Sequence, residues 1–177
     1  MRQCGLSTPC GWDILLVLPN ATKSDVILHS LALTRAWSNA YRVSVLFRTA
    51  DGSLINAFRA TCAEAWVPDD PTRSAEQAIQ ALDILSHETS FLAAVCVSTE
   101  CRDILEQLTK RNIPTIAYIS ELASRSNPVT AVSETIALAD QVVVPSKLVL
   151  DDAYATDYLM NPGRNHNVIE PAFSDLQ

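Results

Sequence analysis

Asp13-Ile14-Leu15-Leu16-Val17-Leu18-Pro19-Asn20-Ala21-Thr22-Lys23-Ser24-Asp25-Val26-Ile27-Leu28 is the stretch that decides the fold. Its five-residue apolar run, Ile14 to Leu18, is stopped by Pro19 and reads as a strand buried on both faces, the signature of a parallel sheet. A polar segment, Asn20 to Asp25, follows. A helical pattern then carries Val26, Ile27, Leu28, Leu31, Ala32, Leu33 and Trp37. Ser24 is placed to cap that helix, its hydroxyl accepting from a free amide of the first turn, and Asp25 suits the positive end of the helix dipole. Strand, polar loop and helix form the repeating unit of open α/β sheets, whose ligands bind beyond the carboxyl ends of the strands.

The same alternation continues outward from this unit. Tyr41–Phe47 reads as a second strand, Asp51-Gly52 as a turn, and Ser53 as the cap of a short helix through Phe58 and Arg59. Ala65–Pro68 reads as a short third strand, closed by Asp69-Asp70-Pro71. Ser74 with Gln77 has the spacing of a capping box before a helix carrying Ala78, Ile79, Leu82 and Leu85. Phe91–Val97 is a fourth, buried strand, with Thr99 as the expected cap of the helix through Ile104, Leu105 and Leu108. Thr115–Ile119 is strand five, Ser120–Pro128 a polar loop, Thr130–Ala139 a helix, and Gln141–Val144 strand six. Ser146 is expected to cap a further helix; Asp157–Asn167 reads as loop and Val168–Pro171 as a last extended piece. The pattern predicts one α/β domain over 13–177, a mainly parallel sheet flanked by helices, preceded by an arm over 1–12.

Composition narrows the function. The chain has 177 residues, 48% hydrophobic and 19% charged, which is globular. Thirteen basic against twenty acidic residues give a formal charge of −7, which disfavours nucleic acid and anionic membrane partners. Five cysteines with no C-x-x-C pair match neither a zinc module nor a disulfide framework. No apolar run reaches the ~18 residues of a membrane helix, and residues 1–11 lack the hydrophobic stretch of a signal peptide. A reducing, cytoplasmic location is expected. Four unclustered glycines exclude a glycine-rich phosphate loop, a P-loop and the dinucleotide fingerprint. A phosphate-signalling receiver domain would need paired acidic residues after strand one, where Pro19-Asn20 stands. The three histidines have no second ligand at metal-binding spacing, so neither a metal nor a bound cofactor is expected.

The candidate binding residues lie at strand carboxyl ends. Asn20, Thr22, Lys23 and Ser24 offer an amide, hydroxyls and one ammonium to a sugar or phosphate, or else cap a helix beside a solvated lysine. Ser98 and Thr99 end strand four, where capping explains them without a ligand. Ser146 and Lys147 form a helix-start turn able to hold an anion, with capping again the simpler reading. Trp37 and Trp66 read as core or edge packing rather than sugar-stacking platforms, and Trp12, in the terminal arm, is left open between the two.

In order and spacing these pieces resemble the N-terminal half of a GT-B glycosyltransferase of the retaining, nucleotide-sugar-dependent group. Asn20–Leu28 is similar to that family's D-A-S-R-T-G-A-P-I-L type loop and helix. Ile119-Ser120-Glu121-Leu122 is similar to its V-H-E-L type turn. Ala137–Ser146 is similar to its A-D-x-V-V-x-P-S pattern, and Asn167–Pro171 to the strand leading out of that half. The resemblance implies a Rossmann-like half that binds a sugar or glycan acceptor, with Glu121 as acceptor-orienting or general-base carboxylate and Ser120 beside it. An ordinary loop glutamate is the competing reading. It also implies a nucleotide-sugar co-substrate held mostly by a C-terminal donor-binding domain that this chain lacks, so that the chain alone is expected to be inactive.

Two further departures bear on this. Asp25 stands where relatives often carry Gly, and its carboxylate would repel a donor phosphate. Ser120 stands where relatives often carry His, removing a group able to shuttle a proton. The alternative is therefore a stand-alone, non-catalytic Rossmann-like binding domain. On either reading an apolar cleft wall, without its second domain, should promote self-association.

Overall fold

The computed structural model describes residues 12–156 and 166–168. The chain divides into two compact units, the first ending at Ala93 and the second beginning at Ala94. Each is built of parallel strands and helices.

The first unit contains β1 (Asp13–Leu18), α1 (Asp25–Trp37), β2 (Arg42–Phe47), α2 (Ile55–Arg59), β3 (Glu64–Trp66) and α3 (Ser74–Glu88). β1 pairs in parallel with β2 from Asp13↔Arg42 to Leu18↔Phe47, and β2 pairs in parallel with β3. Leu15, Leu16, Val17 and Leu18 have no exposed surface, as an apolar run in a parallel sheet requires. α1 buries Ile27 and Leu31 together with Ser30 and Thr34, while Leu28 stays exposed. The two buried hydroxyls are satisfied inside the helix, donating to Val26 O and Ser30 O at 2.8 Å each. Phe47 and Phe58 meet edge to face with centroids 5.4 Å apart, fixing α2 against the sheet.

β4 (Phe91–Val97) runs across the division. The second unit continues with α4 (Arg102–Lys110), β5 (Thr115–Tyr118), α5 (Ala131–Leu138), β6 (Gln141–Val144), α6 (Lys147–Thr156) and β7 (His166–Val168). Its strands lie in the order β4-β5-β6-β7, every pair parallel. Cys96, Ile104, Leu105, Leu108, Ile119 and Val132 fill its core. α4 is closed by the Arg111 cap and then Asn112, whose φ of 55° is the left-handed conformation asparagine tolerates just past a helix end. The Ile113 amide then returns to Leu108 O at 3.2 Å.

Several local expectations are corrected. Ser74 is not a cap: it is the first residue of α3, and no side chain caps that helix. Gln77 instead turns outward, its Oε1 accepting from the amides of Asp69 (2.9 Å) and Asp70 (3.1 Å). Two free loop amides compete better for that oxygen than one helix amide does. Ser53 does not cap α2, which follows Leu54 without a side-chain hydrogen bond. The last strand starts at His166, inside the segment read as loop. Residues 169–171 and the arm over 1–11 lie outside the described residues.

Candidate functional site

In the first unit the loop after β1 is clamped to the loop after β2. Arg48 N donates to Leu18 O, Thr49 N to Pro19 O, and Ala21 N to Asp51 O at 2.6 Å, while Leu54 N donates to Ala21 O at 3.1 Å. Gly52, at φ +115°, lies so close that a Cβ there would fall 1.9 Å from the carbonyl carbon of Ala21. Only glycine fits that approach. The clamp presents Asn20 to Ser24 in one fixed conformation. Asn20 Oδ1 accepts from Thr22 N at 2.9 Å, closing a local turn, and Ser24 Oγ accepts from Ile27 N at 3.4 Å as the α1 cap. Those two side chains are thus used locally. Thr22 and Lys23 are exposed, and among the described residues no side-chain partner engages the Thr22 hydroxyl or the Lys23 ammonium.

In the second unit the structure brings Ser98, Thr99, Ser120 and Glu121 together. Glu121 Oε1 accepts from Thr99 N at 3.3 Å and Oε2 from Ser120 N at 3.0 Å. The carboxylate thereby ties the turn after β4 to the turn after β5. Beside it, burial first and the Glu121 charge second push the Tyr118 phenol above its ordinary pKa. The cap at this turn is Ser98 rather than the expected Thr99: Ser98 Oγ accepts from Glu100 N at 3.2 Å. Ser98 stands at φ 75°, ψ 150°, a region that is otherwise almost glycine's own. A buried, strained serine at the carboxyl end of a strand is the kind of feature that clusters at binding sites.

Ser146 and Lys147 begin the segment that enters α6, with Ser146 O accepting from Leu150 N at 3.5 Å. No hydrogen bond joins them to the Glu121 group among the described residues. The 120–128 loop is anchored elsewhere, by a 3-10 turn at Ala123–Arg125 whose Ser124 donates from N (3.0 Å) and Oγ (2.7 Å) to Asp152 of α6. Those bonds hold the Asp152 carboxyl below the usual carboxylate range.

Two features escape a sequence reading. Asp140, in the A-D-x-V-V-x-P-S stretch, sits at the amino ends of β5 and β6, away from the carboxyl-end turns. Its Oδ2 accepts from Thr115 N (2.8 Å) and Oγ1 (2.9 Å), and its own amide donates to Thr115 Oγ1. It is a strand clamp. Second, the first unit carries a pocket of about 180 Å³ between the end of β3 and α3, with Trp66 in its wall. Trp66 Nε1 is buried without an acceptor. The W-V-P-D-D run, an aromatic followed by acidic residues at a strand end, is the signal that marks this place.

Among the described residues no group of three or more His, Cys, Asp or Glu side chains could hold a metal ion. No described helix is long and apolar enough to cross a membrane.

No protein-family model matches the chain, and no curated protein matches it. A solved structure does. UGT2 of Phytolacca americana, a plant UDP-glycosyltransferase complexed with UDP-2fluoro-glucose and pterostilbene, superposes with a TM-score of 0.60 at 13% sequence identity. The match covers 93% of this chain and 55% of the plant chain, so this chain spans about half the length of that protein. A likeness at this identity concerns the fold, and on that level the conclusion is plain: the chain has an α/β, Rossmann-like fold similar to half of a plant UDP-glycosyltransferase.

Proposed function

We propose that the chain is the N-terminal, acceptor-binding half of a GT-B glycosyltransferase. Such an enzyme transfers a sugar from a nucleotide-diphospho-sugar to an acceptor hydroxyl, and its donor site lies mostly in a second domain. The observation that carries the reading is the extent of the structural likeness, nearly all of this chain against 55% of the plant enzyme. In the complete reaction the acceptor oxygen bonds to the anomeric carbon as the bond from that carbon to the diphosphate oxygen breaks. The hydroxyl proton passes to a base.

On this reading Thr22 and Lys23 meet the ligand directly, while Asn20 and Ser24 hold the loop. Ser98, Thr99 and Ser120 frame the position of Glu121, which orients the acceptor and accepts its proton. Ser146 and Lys147 form an anion-contacting helix start. The nucleotide sugar is a co-substrate and no metal takes part. Where the face that meets a second domain is uncovered, its apolar surface would support self-association.

The second reading, a binding domain that has lost catalysis, is favoured by one observation. Both Glu121 oxygens already accept from backbone amides, which commits the carboxylate to holding two turns together.

The test is an NMR titration of the isotope-labelled chain with pterostilbene as a phenolic acceptor and with UDP-glucose. The proposal predicts that the phenol shifts the amides of Thr22, Lys23, Thr99 and Ser120, and that UDP-glucose is bound weakly and left unhydrolysed. Shifts confined to other surfaces, or tight binding of UDP-glucose alone, would refute it.

A further inference from the structure

We propose that the pocket between β3 and α3 is a binding site for a small organic ammonium with an apolar body. Its volume is about 180 Å³, and a cavity of about 150 Å³ already holds a benzene ring. Leu46, Ala78 and Ala81 line it with aliphatic carbon, and Trp66 adds an indole. Because Trp66 Nε1 is closed off, the pocket meets the ring carbons of that indole rather than its N–H. Ile84, 46% exposed on α3, stands in the wall as a large apolar side chain left in water.

Charge complementarity selects the ligand. Among the described residues Asp69, itself exposed, is the one charged residue of the lining, which holds no Lys, Arg or His. Its carboxylate has no cationic partner among the described residues; Arg73, four positions on, is paired with Glu76 at 2.9 Å. The Asp69 backbone is fixed, because Gln77 Oε1 holds its amide and that of Asp70. A hollow walled by aliphatic carbon, an indole and two glutamine side chains, with one carboxylate at its rim, repels anions. A neutral ligand gains no charge pairing there. An ammonium on a short apolar stem satisfies both parts, pairing with Asp69 and laying its stem against the aliphatic and indole carbons. The site lies within the first unit and does not depend on the glycosyltransferase reading.

The probe is phenethylammonium, titrated by calorimetry and by amide shifts into the full chain, with 2-phenylethanol and 3-phenylpropanoate as neutral and anionic counterparts. The expected result is saturable binding of the ammonium, with shifts at Val67, Asp69, Ala78 and Ala81. It should bind up to about fivefold more tightly than the alcohol, the worth of one exposed charge contact, and the carboxylate should not bind. Asp69→Asn should weaken the ammonium up to about fivefold and leave the alcohol unchanged. Ile84→Lys places a cation at an exposed helix position, where folding tolerates it, and should abolish ammonium binding. Equal affinity for the ammonium and the alcohol would overturn the proposal. So would unchanged ammonium binding in either variant, with the fold verified by circular dichroism.

Discussion

Replacing Gly52 by alanine tests the clamp that shapes the candidate loop. The added Cβ would lie 1.9 Å from Ala21 C, 2.1 Å from Ala21 O and 2.2 Å from Thr22 N, all backbone atoms that no rotamer change can move aside. Relief requires the two loops to part, which breaks the bonds from Ala21 N to Asp51 O and from Leu54 N to Ala21 O. Each such bond contributes roughly 0.5–1.5 kcal/mol. The positive φ adds roughly 1–3 kcal/mol once a side chain is present. The expected loss is therefore about 2–6 kcal/mol, or about 5–20 °C in Tm for a chain of this size. Urea and thermal unfolding followed by circular dichroism measure it, with Ser53→Ala as a neighbouring exposed control expected to stay within about 0.5 kcal/mol. Because Ala21 lies between Asn20 and Thr22, the same substitution should weaken ligand shifts at Thr22 and Lys23. A Gly52→Ala protein within about 0.5 kcal/mol of the parent would refute the reasoning.

Three further outcomes are expected. Ser98→Gly relieves the φ of 75° and loses the bond to Glu100 N, whereas Ser98→Ala loses the bond and keeps the strain. The glycine variant should exceed the alanine variant by about 1–3 kcal/mol in denaturant unfolding, and equal midpoints would show that no strain is stored there. Asp140→Ala removes the clamp on Thr115 and should cost about 1–3 kcal/mol; a midpoint unchanged in urea would contradict that role. For Asp152, hydrogen bonds from the Ser124 hydroxyl and amide lower the folded pKa. The stability they supply is present above the carboxyl's unfolded pKa and is lost as pH falls through the lowered folded value. Asp152→Asn should therefore flatten the acid limb of the stability–pH curve, and an identical limb would dismiss the linkage.

The strands were legible because their apolar runs are continuous: Ile14–Leu18 is buried throughout, and Phe91–Val97 and Gln141–Val144 lie where the sequence puts them, although Leu92 is exposed and Val143 half-buried. The Ser24 cap was legible because it acts three residues away. Interactions across longer separations were not. Gly52 shows as a turn residue, yet what makes glycine necessary is Ala21, thirty-one positions earlier. Gln77 has the spacing of a capping box but is drawn to Asp69 and Asp70. Asp140 sits in a motif suggestive of function and holds the start of a strand. For the candidate site, the sequence located the loops at strand ends, and the structure supplies which side chains remain free in them: among the described residues the Thr22 hydroxyl and the Lys23 ammonium are unengaged, while Asn20, Ser24 and Glu121 are committed to backbone amides. A side chain's spare valence depends on neighbours that the chain brings together only by folding.

The central claim, that this chain is one half of a two-domain sugar transferase, is tested most directly by reading the source gene beyond the Gln177 codon. The account predicts a frame that continues for roughly 150–200 residues, a second domain's worth, with a paired-glutamate segment near basic residues able to hold a nucleotide diphosphate. A stop codon directly after Gln177 would contradict it and leave the non-catalytic binding domain as the reading to pursue.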